Sequence, residues 1–225
     1  MTPAPVDGMP AFRPRPPWWG GDLQTLRNFV VMRNLRIGLP AVPGRRLYLP
    51  MTDGSGDRLA ASLTPAPGGR PLLVLIHGLT GSEESTYMLT SARHFHALGY
   101  PVLRLNLRGA GPSRATCRGH YHAGRSQDLR DALDALDPAP AAAGLILVGY
   151  SLGGNMLLKF LAEHDGGFPI RAAATVSAPI DLAATARTLM RPRNLIYHRW
   201  LVAGMKRDAL AGGLRPAERD AVEAA

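Results

Sequence analysis

The sequence contains a single cysteine, Cys117, and only two lysines among its 26 basic residues. One cysteine excludes an internal disulfide framework and a zinc site built from cysteines. No apolar stretch approaches the ~20 residues that a membrane-spanning helix needs. The proline-rich start of the chain, Met1–Pro17, lacks the apolar segment of a secretory signal. These absences predict a cytoplasmic protein without a membrane span.

The rest of the composition is that of an ordinary globular protein. The chain has 225 residues, of which 46% are hydrophobic and 19% charged, enough for one domain with a sizeable core. The formal net charge is +9, and arginine supplies most of the positive charge. The arginines are scattered, without a helix-turn-helix signature or interleaved aromatic residues. We therefore expect no nucleic-acid partner and attribute the arginine content to a GC-rich coding bias.

The central part of the chain alternates between continuous apolar runs and amphipathic stretches. The runs predict buried strands at Leu72–Ile76, Pro101–Leu107, Leu145–Val148 and Ala172–Val176. Two shorter strands are expected before them, at Arg46–Pro50 and Arg58–Thr64. Helices are predicted at Ser85–Leu98, around Leu129–Leu136 and at Leu152–His164. In the second of these helices, we expect Asp128, Asp131 and Asp134 to face solvent.

This order of elements predicts an α/β fold, a mostly parallel sheet with helices on both faces. Residues 1–44 are predicted to form an N-terminal arm and residues 45–182 the α/β core. Residues 183–225 have helical patterns that lie outside the strand–helix alternation, so we interpret them as part of a helical cap.

The pattern G-x-S-x-G lies between a predicted buried strand and a predicted helix, at Gly149-Tyr150-Ser151-Leu152-Gly153. A sharp strand-to-helix turn holds such a serine in a strained conformation, with its hydroxyl at the carboxyl end of the sheet. The flanking glycines are needed because side chains would clash in so tight a turn. Ser151 is therefore the candidate nucleophile. The competing interpretation is a tight turn with a capping serine.

A second segment, His77-Gly78-Leu79-Thr80-Gly81, directly follows the first buried strand. A loop in this place can turn a backbone N–H toward the serine. The oxyanion of an acyl-transfer reaction would then be bound by the N–H groups of Leu79 and Leu152, the second being the residue after the nucleophile. The alternative is a packed strand-end histidine followed by a structural turn.

Two further groups of residues are interpreted without catalytic roles. The segment Asn106–Ser113 lacks the spacing of a phosphate loop, so we expect a structural turn in which Arg108 pairs locally. His120 and His122 have no carboxylate or cysteine at ligand spacing, so we predict no metal site.

Four separated motifs together resemble one known family. They are Pro17–Leu26, His77–Ser82, Asn106–Gly109 and Gly149–Asn155, in this order along the chain. In these motifs the chain resembles the YheT-like, embryogenesis-associated-protein type subfamily of α/β-hydrolases. The resemblance implies an α/β-hydrolase fold and hydrolysis of small-molecule carboxylic esters, such as acylglycerols or short acyl esters. It also implies a Ser–Asp–His triad and no cofactor.

The acid and the histidine of such a triad follow the serine along the chain. Residues 152–225 match neither of the family's segments for these two roles, so we expect a chain shortened at its C-terminus, with an incomplete sheet that favours self-association. Asp181 and His198 are candidates for a substitute set. We expect an impaired esterase or, alternatively, a non-catalytic α/β-hydrolase-fold protein that binds a hydrophobic ligand or a partner.

Overall fold

The structure is a computed structural model that describes residues 13–27, 42–163, 166–211 and 216–224. The chain splits into two compact units, Met1–Pro40 and Ala41–Ala225. In the first unit, the described residues form a turn followed by helix α1, over residues 21–27. Much of the predicted arm, residues 1–44, lies outside the described residues, and the three-segment division stays a prediction. The candidate site lies in the second unit.

The second unit is built on a six-stranded sheet. The strands are β1 (Arg45–Pro50), β2 (Arg58–Thr64), β3 (Leu72–Ile76), β4 (Val102–Leu105), β5 (Leu145–Tyr150) and β6 (Ile170–Val176). Their spatial order is β1-β2-β4-β3-β5-β6. The pairs β1–β2 and β2–β4 are antiparallel, whereas β4–β3, β3–β5 and β5–β6 are parallel. The prediction of a mostly parallel sheet is confirmed.

Helices follow the strands of the parallel part. They are α2 (Thr86–Ala97), α3 (Ser126–Asp134), α4 (Pro138–Ala141), α5 (Leu152–Glu163), α6 (Leu182–Leu189), α7 (Leu195–Leu210) and α8 (Pro216–Ala224). The connections β3–α2–β4 and β4–α3–β5 cross the sheet in opposite directions. Because parallel crossovers are right-handed, α2 and α3 lie on opposite faces. Helices α3 and α5 contact each other, so they share one face.

The core is densest around β3, the strand with the most continuous apolar sequence. All five of its residues are fully buried, because β4 and β5 pair with both its edges and helices cover both its faces. From α5, Met156, Leu157 and Phe160 reach the same core. This packing fixes the carboxyl ends of β3 and β5, where the two sequence motifs begin.

Of the three aspartates expected to face solvent, Asp134 is exposed, whereas the expectation is wrong for Asp128 and Asp131, since both are buried. Asp128 accepts two hydrogen bonds from the buried Arg108 guanidinium, at 2.9 and 2.7 Å. Asp131 accepts hydrogen bonds from the backbone N–H and the hydroxyl of Thr52. Arg108 also donates to Asp57 at 2.7 Å, so its partners come from distant segments rather than from its own loop. In such a buried network, the attraction between opposite charges and the hydrogen bonds compensate for the cost of removing the charges from water.

Strand β6 lies at the end of the sheet, and residues 171–176 are exposed rather than buried. Within the described residues, only β5 pairs with it. The expected self-association of this edge remains a prediction. No helix in the described ranges is both long enough and apolar enough to cross a membrane.

Candidate active site

Ser151 occupies the turn between β5 and α5 in a strained backbone conformation. Its φ is +50°, a region that non-glycine residues rarely adopt. The Ser151 N–H donates to the Val176 carbonyl at 2.8 Å, and the Ser151 carbonyl accepts from Asn155 N–H at 3.0 Å. Strand β6 and helix α5 therefore hold the turn from both sides. The side chain is exposed, and among the described residues its hydroxyl has no hydrogen-bond partner.

Two glycines make this turn possible because backbone atoms pack directly against them. A Cβ added at Gly149 would lie 2.6 Å from the Gly153 carbonyl oxygen, and one added at Gly153 would lie 2.3 Å from the His77 carbonyl oxygen. Both distances are far below a normal van der Waals contact. The second contact also brings the loop after β3 against the start of α5.

His77 directly follows β3, and its side chain is a fully buried, neutral imidazole. Its Nε2 accepts from Leu107 N–H at 3.0 Å, so Nδ1 carries the proton and donates to the Gly78 carbonyl at 2.8 Å. Desolvation by burial lowers the pKa of His77 to about 4, which keeps the ring uncharged. Both ring nitrogens are occupied, so His77 fixes the loop and cannot act as a base for Ser151.

The loop after β3 passes directly beside the serine. A Cβ added at Gly78 would lie 2.9 Å from Ser151 Cβ, so only glycine allows this approach. Leu79 and Leu152 line the same cavity as Ser151. Neither backbone N–H has a hydrogen-bond acceptor among the described residues. The structure thus gathers the three residues singled out from the sequence at one place.

Two tyrosines that the sequence patterns did not single out contact this loop. Tyr87, in α2, accepts a hydrogen bond from Gly78 N–H at 3.0 Å. Tyr121 accepts one from Thr80 N–H at 2.7 Å, and its ring lies edge-on to His77. Burial raises the pKa of Tyr87, and it raises that of Tyr121 to about 12. No spacing rule connects either tyrosine with the loop.

An apolar cavity of about 460 Å³ opens beside Ser151. Helices α6 and α7 form one wall of it, and the strand ends form the other. Its apolar lining includes Leu79, Val176, Pro179, Leu182, Leu189, Trp200 and Leu201. A volume of a few hundred Å³ with few polar groups is typical of a small-molecule site.

The substitute acid and base are not brought to the serine. The Asp181 carboxylate caps α6 by accepting from Ala184 N–H at 2.8 Å. His198 lies in α7, and neither residue lines the cavity. Within the described residues, no hydrogen bond or ion pair joins Ser151 to a histidine or a carboxylate.

The paired histidines do not converge on a metal position. Arg114 donates to His120, whereas His122 Nδ1 accepts from Gly124 N–H at 3.2 Å. Across the part of the chain that the structure describes, no three His, Cys, Asp or Glu side chains are grouped to hold an ion.

Residues 71–204 match the protein family described as "alpha/beta hydrolase fold". The chain belongs to this family. The match begins just before β3 and ends in α7, so it includes both motifs and the cavity between them. The fold class predicted from the sequence is confirmed.

Three curated relatives are similar to this α/β-hydrolase. YheT of Escherichia coli (strain K12) is 35% identical over 170 residues, which cover 73% of this chain and 48% of YheT. The embryogenesis-associated protein EMB8 of Picea glauca is 26% identical over 178 residues, covering 74% and 39%. Phospholipase ABHD3 of Mus musculus is 33% identical over 134 residues, covering 59% and 32%. The resemblance to the YheT-like, embryogenesis-associated type is confirmed.

The chain spans less than half the length of each of these relatives. Among solved structures, the esterase Pf2001 of Pyrococcus furiosus aligns with a TM-score of 0.57 and 19% identity. The alignment covers 71% of this chain and 59% of that one. At this identity the likeness shows a shared fold.

Proposed function

We propose that this chain carries the nucleophile and the oxyanion site of a serine hydrolase that acts on carboxylic esters. The observation that carries the proposal is the strained turn at Ser151, which exposes a hydroxyl beside the amides of Leu79 and Leu152, neither of which has an acceptor in the part of the chain that the structure describes. Such strain persists where the surrounding structure holds it, often at functional sites. A serine that merely caps a helix needs no left-handed backbone.

In the proposed reaction, Ser151 Oγ attacks the ester carbonyl carbon, the hydroxyl proton passes to hydroxide or water, and the π electrons of the carbonyl move onto its oxygen. This oxyanion accepts hydrogen bonds from the N–H groups of Leu79 and Leu152. When the intermediate collapses, the bond between carbon and the alcohol oxygen breaks, and the alkoxide takes up a proton from water. Water then attacks the acyl-serine, releases the carboxylic acid and restores the hydroxyl.

The cavity supports an ester with an apolar acyl group. Its walls next to Ser151 are mainly aliphatic, with Trp200 at one side, and burial of each methylene against such walls contributes about 0.8 kcal/mol. Short acyl esters and acylglycerol-type lipids fit this description. The relative ABHD3 is named a phospholipase, which also favours a lipid ester.

We expect turnover by this chain to be slow. The described residues give Ser151 no general base, so the proton of its hydroxyl must pass to hydroxide or water. Loss of one triad member lowers kcat by about 10⁴-fold or more in serine hydrolases that have been dissected in this way. An oxyanion site and a binding cavity still leave residual catalysis.

The test is covalent labelling of the 225-residue chain by an alkyl fluorophosphonate, followed by peptide mass spectrometry. The wild-type chain should form an adduct on Ser151, and Ser151→Ala should form none there. Ser177 is an internal control, because it also lines the cavity and also has a positive φ, +52°. Equal labelling of Ser177 and Ser151, or no adduct on Ser151, would contradict the proposal.

A second candidate function is the binding of a hydrophobic ligand or partner without turnover. The lack of a base for Ser151 within the described residues favours it. In this case a fatty acid should change the fluorescence of the cavity residue Trp200 equally in the wild type and in Ser151→Ala. Neither form should release product from a p-nitrophenyl ester faster than the buffer does.

A further inference from the structure

Three backbone groups that flank Leu79 are hydrogen-bonded, the Gly78 N–H, the Gly78 carbonyl and the Thr80 N–H, while the Leu79 N–H has no acceptor among the described residues. The preceding amide, of Gly78, donates to Tyr87, and the following amide, of Thr80, donates to Tyr121. The Gly78 carbonyl accepts from His77. The peptide plane between Gly78 and Leu79, which carries the Leu79 N–H, therefore has little freedom to rotate.

This arrangement holds a strained residue in place. Thr80 has a φ of +56°, which is a genuine outlier for a β-branched side chain. Such a conformation is unfavourable, so it persists only where other contacts impose it. The Thr80 N–H donates a hydrogen bond of 2.7 Å to the Tyr121 hydroxyl. This bond holds the backbone of the strained residue directly.

Two glycines, Gly81 and Gly204, allow close contacts with Tyr87 and with Thr80 of the loop. A Cβ added at Gly81 would lie 2.6 Å from the Tyr87 hydroxyl oxygen, so glycine lets that hydroxyl reach the loop. A Cβ added at Gly204 of α7 would lie 2.8 Å from Thr80 Cγ2. Helix α7 therefore backs the loop on the side of the Thr80 side chain.

We propose that Tyr87 and Tyr121 are positioning residues. Their hydroxyl groups orient the Leu79 N–H toward the oxyanion that forms on the ester carbonyl oxygen when Ser151 attacks. We assign them this role through the hydrogen bonds to the loop backbone, although Tyr87 also lines the cavity. The inference rests on the proposed function, because it assigns a role within the same reaction. It adds two residues from outside both sequence motifs to the machinery of the site.

The test compares Tyr121→Phe and Tyr87→Phe with the wild type in fluorophosphonate labelling of Ser151. The maximal labelling rate and the half-saturating reagent concentration are measured separately. Loss of one oxyanion donor costs about 10²–10³-fold in rate. A loosened donor should cost less, so each variant should slow the maximal rate about tenfold while the half-saturating concentration changes less than about twofold.

Ser113→Ala is the matched control. The Ser113 hydroxyl accepts from the buried Ala60 N–H at 2.8 Å, so the variant also leaves one backbone amide without its acceptor, at a position outside the cavity. It should lower the melting temperature as Tyr121→Phe does, yet label at the wild-type rate. Hydrogen–deuterium exchange of the peptide 77–82 should accelerate in Tyr121→Phe and stay unchanged in Ser113→Ala.

Two results would overturn the inference while leaving the proposed function intact. One is that the wild-type chain is labelled on Ser151 and that both tyrosine variants are labelled at the same maximal rate as the wild type. The other is a change confined to the half-saturating concentration, which would mean that the tyrosines shape reagent binding. A wild-type chain without an adduct on Ser151 would overturn the proposed function and this inference with it.

Discussion

Replacing Gly153 by alanine tests the packing of the serine turn, and the structure allows the size of the effect to be worked out. The added Cβ would lie 2.3 Å from the His77 carbonyl oxygen and 2.9 Å from the Ile76 carbonyl oxygen. Comfortable carbon–oxygen contacts begin at about 3.3 Å. The end of β3 and the start of α5 would therefore have to separate by about 1 Å.

Two effects of opposite sign compete in this variant. Alanine favours a helix over glycine by about 1 kcal/mol, whereas overpacking a dense interior costs about 1–3 kcal/mol and more where the neighbour is backbone. Since both neighbours here are carbonyl oxygens, the clash should win, and we expect the free energy of unfolding to fall by about 2 kcal/mol.

The assay is urea unfolding followed by circular dichroism, with Gly167→Ala as the matched control. Nothing lies within 4 Å of a Cβ added at Gly167, so the control should be neutral or gain up to about 1 kcal/mol from a less flexible unfolded chain. A Gly153→Ala chain as stable as the wild type would refute the close approach of the loop to α5.

Three further predictions concern charge and protonation. Arg108→Met should lower the free energy of unfolding by about 3–5 kcal/mol, because it leaves buried carboxylates unpaired, whereas Arg130→Met at the exposed pair with Asp134 should cost under about 1 kcal/mol in the same urea experiment. The ring signals of His77 in NMR spectra should shift only as the pH approaches about 4; because its folded pKa lies below the unfolded one, its contribution to stability is complete above about pH 6.5 and is lost as the pH falls toward 4. The rate of Ser151 labelling should rise about tenfold per pH unit between about pH 6 and 9, and an inflection in the ordinary histidine range would reveal a base.

Much of the fold followed from local patterns. The apolar run of β3 and the alternation of strands and helices are properties of short segments, and burial on both faces leaves little choice of structure for them. The serine turn was likewise predictable, because strand, glycines and helix adjoin in the sequence. The burial of Asp128 could not be predicted in this way, because it depends on an ion pair with Arg108, twenty positions away along the chain. Arg108 in turn also donates to Asp57, the residue that precedes β2.

The surroundings of the candidate site depend on contacts that no spacing rule encodes. Tyr121 meets Thr80 across 41 residues of sequence, and its loop has no periodic pattern. The cavity exists only because α6 and α7 fold back beside the strand ends. Side-chain type alone could not separate Tyr121 from a tyrosine packed elsewhere.

An experimental structure of the phosphonylated chain tests most directly whether the amides beside the serine turn serve as oxyanion donors. In this adduct the phosphorus is bonded to Ser151 Oγ. We predict that its phosphoryl oxygen lies within about 3 Å of the backbone nitrogens of Leu79 and Leu152. An oxygen that points to solvent, or a carbonyl of the loop turned toward the phosphorus in place of the Leu79 N–H, would contradict the account.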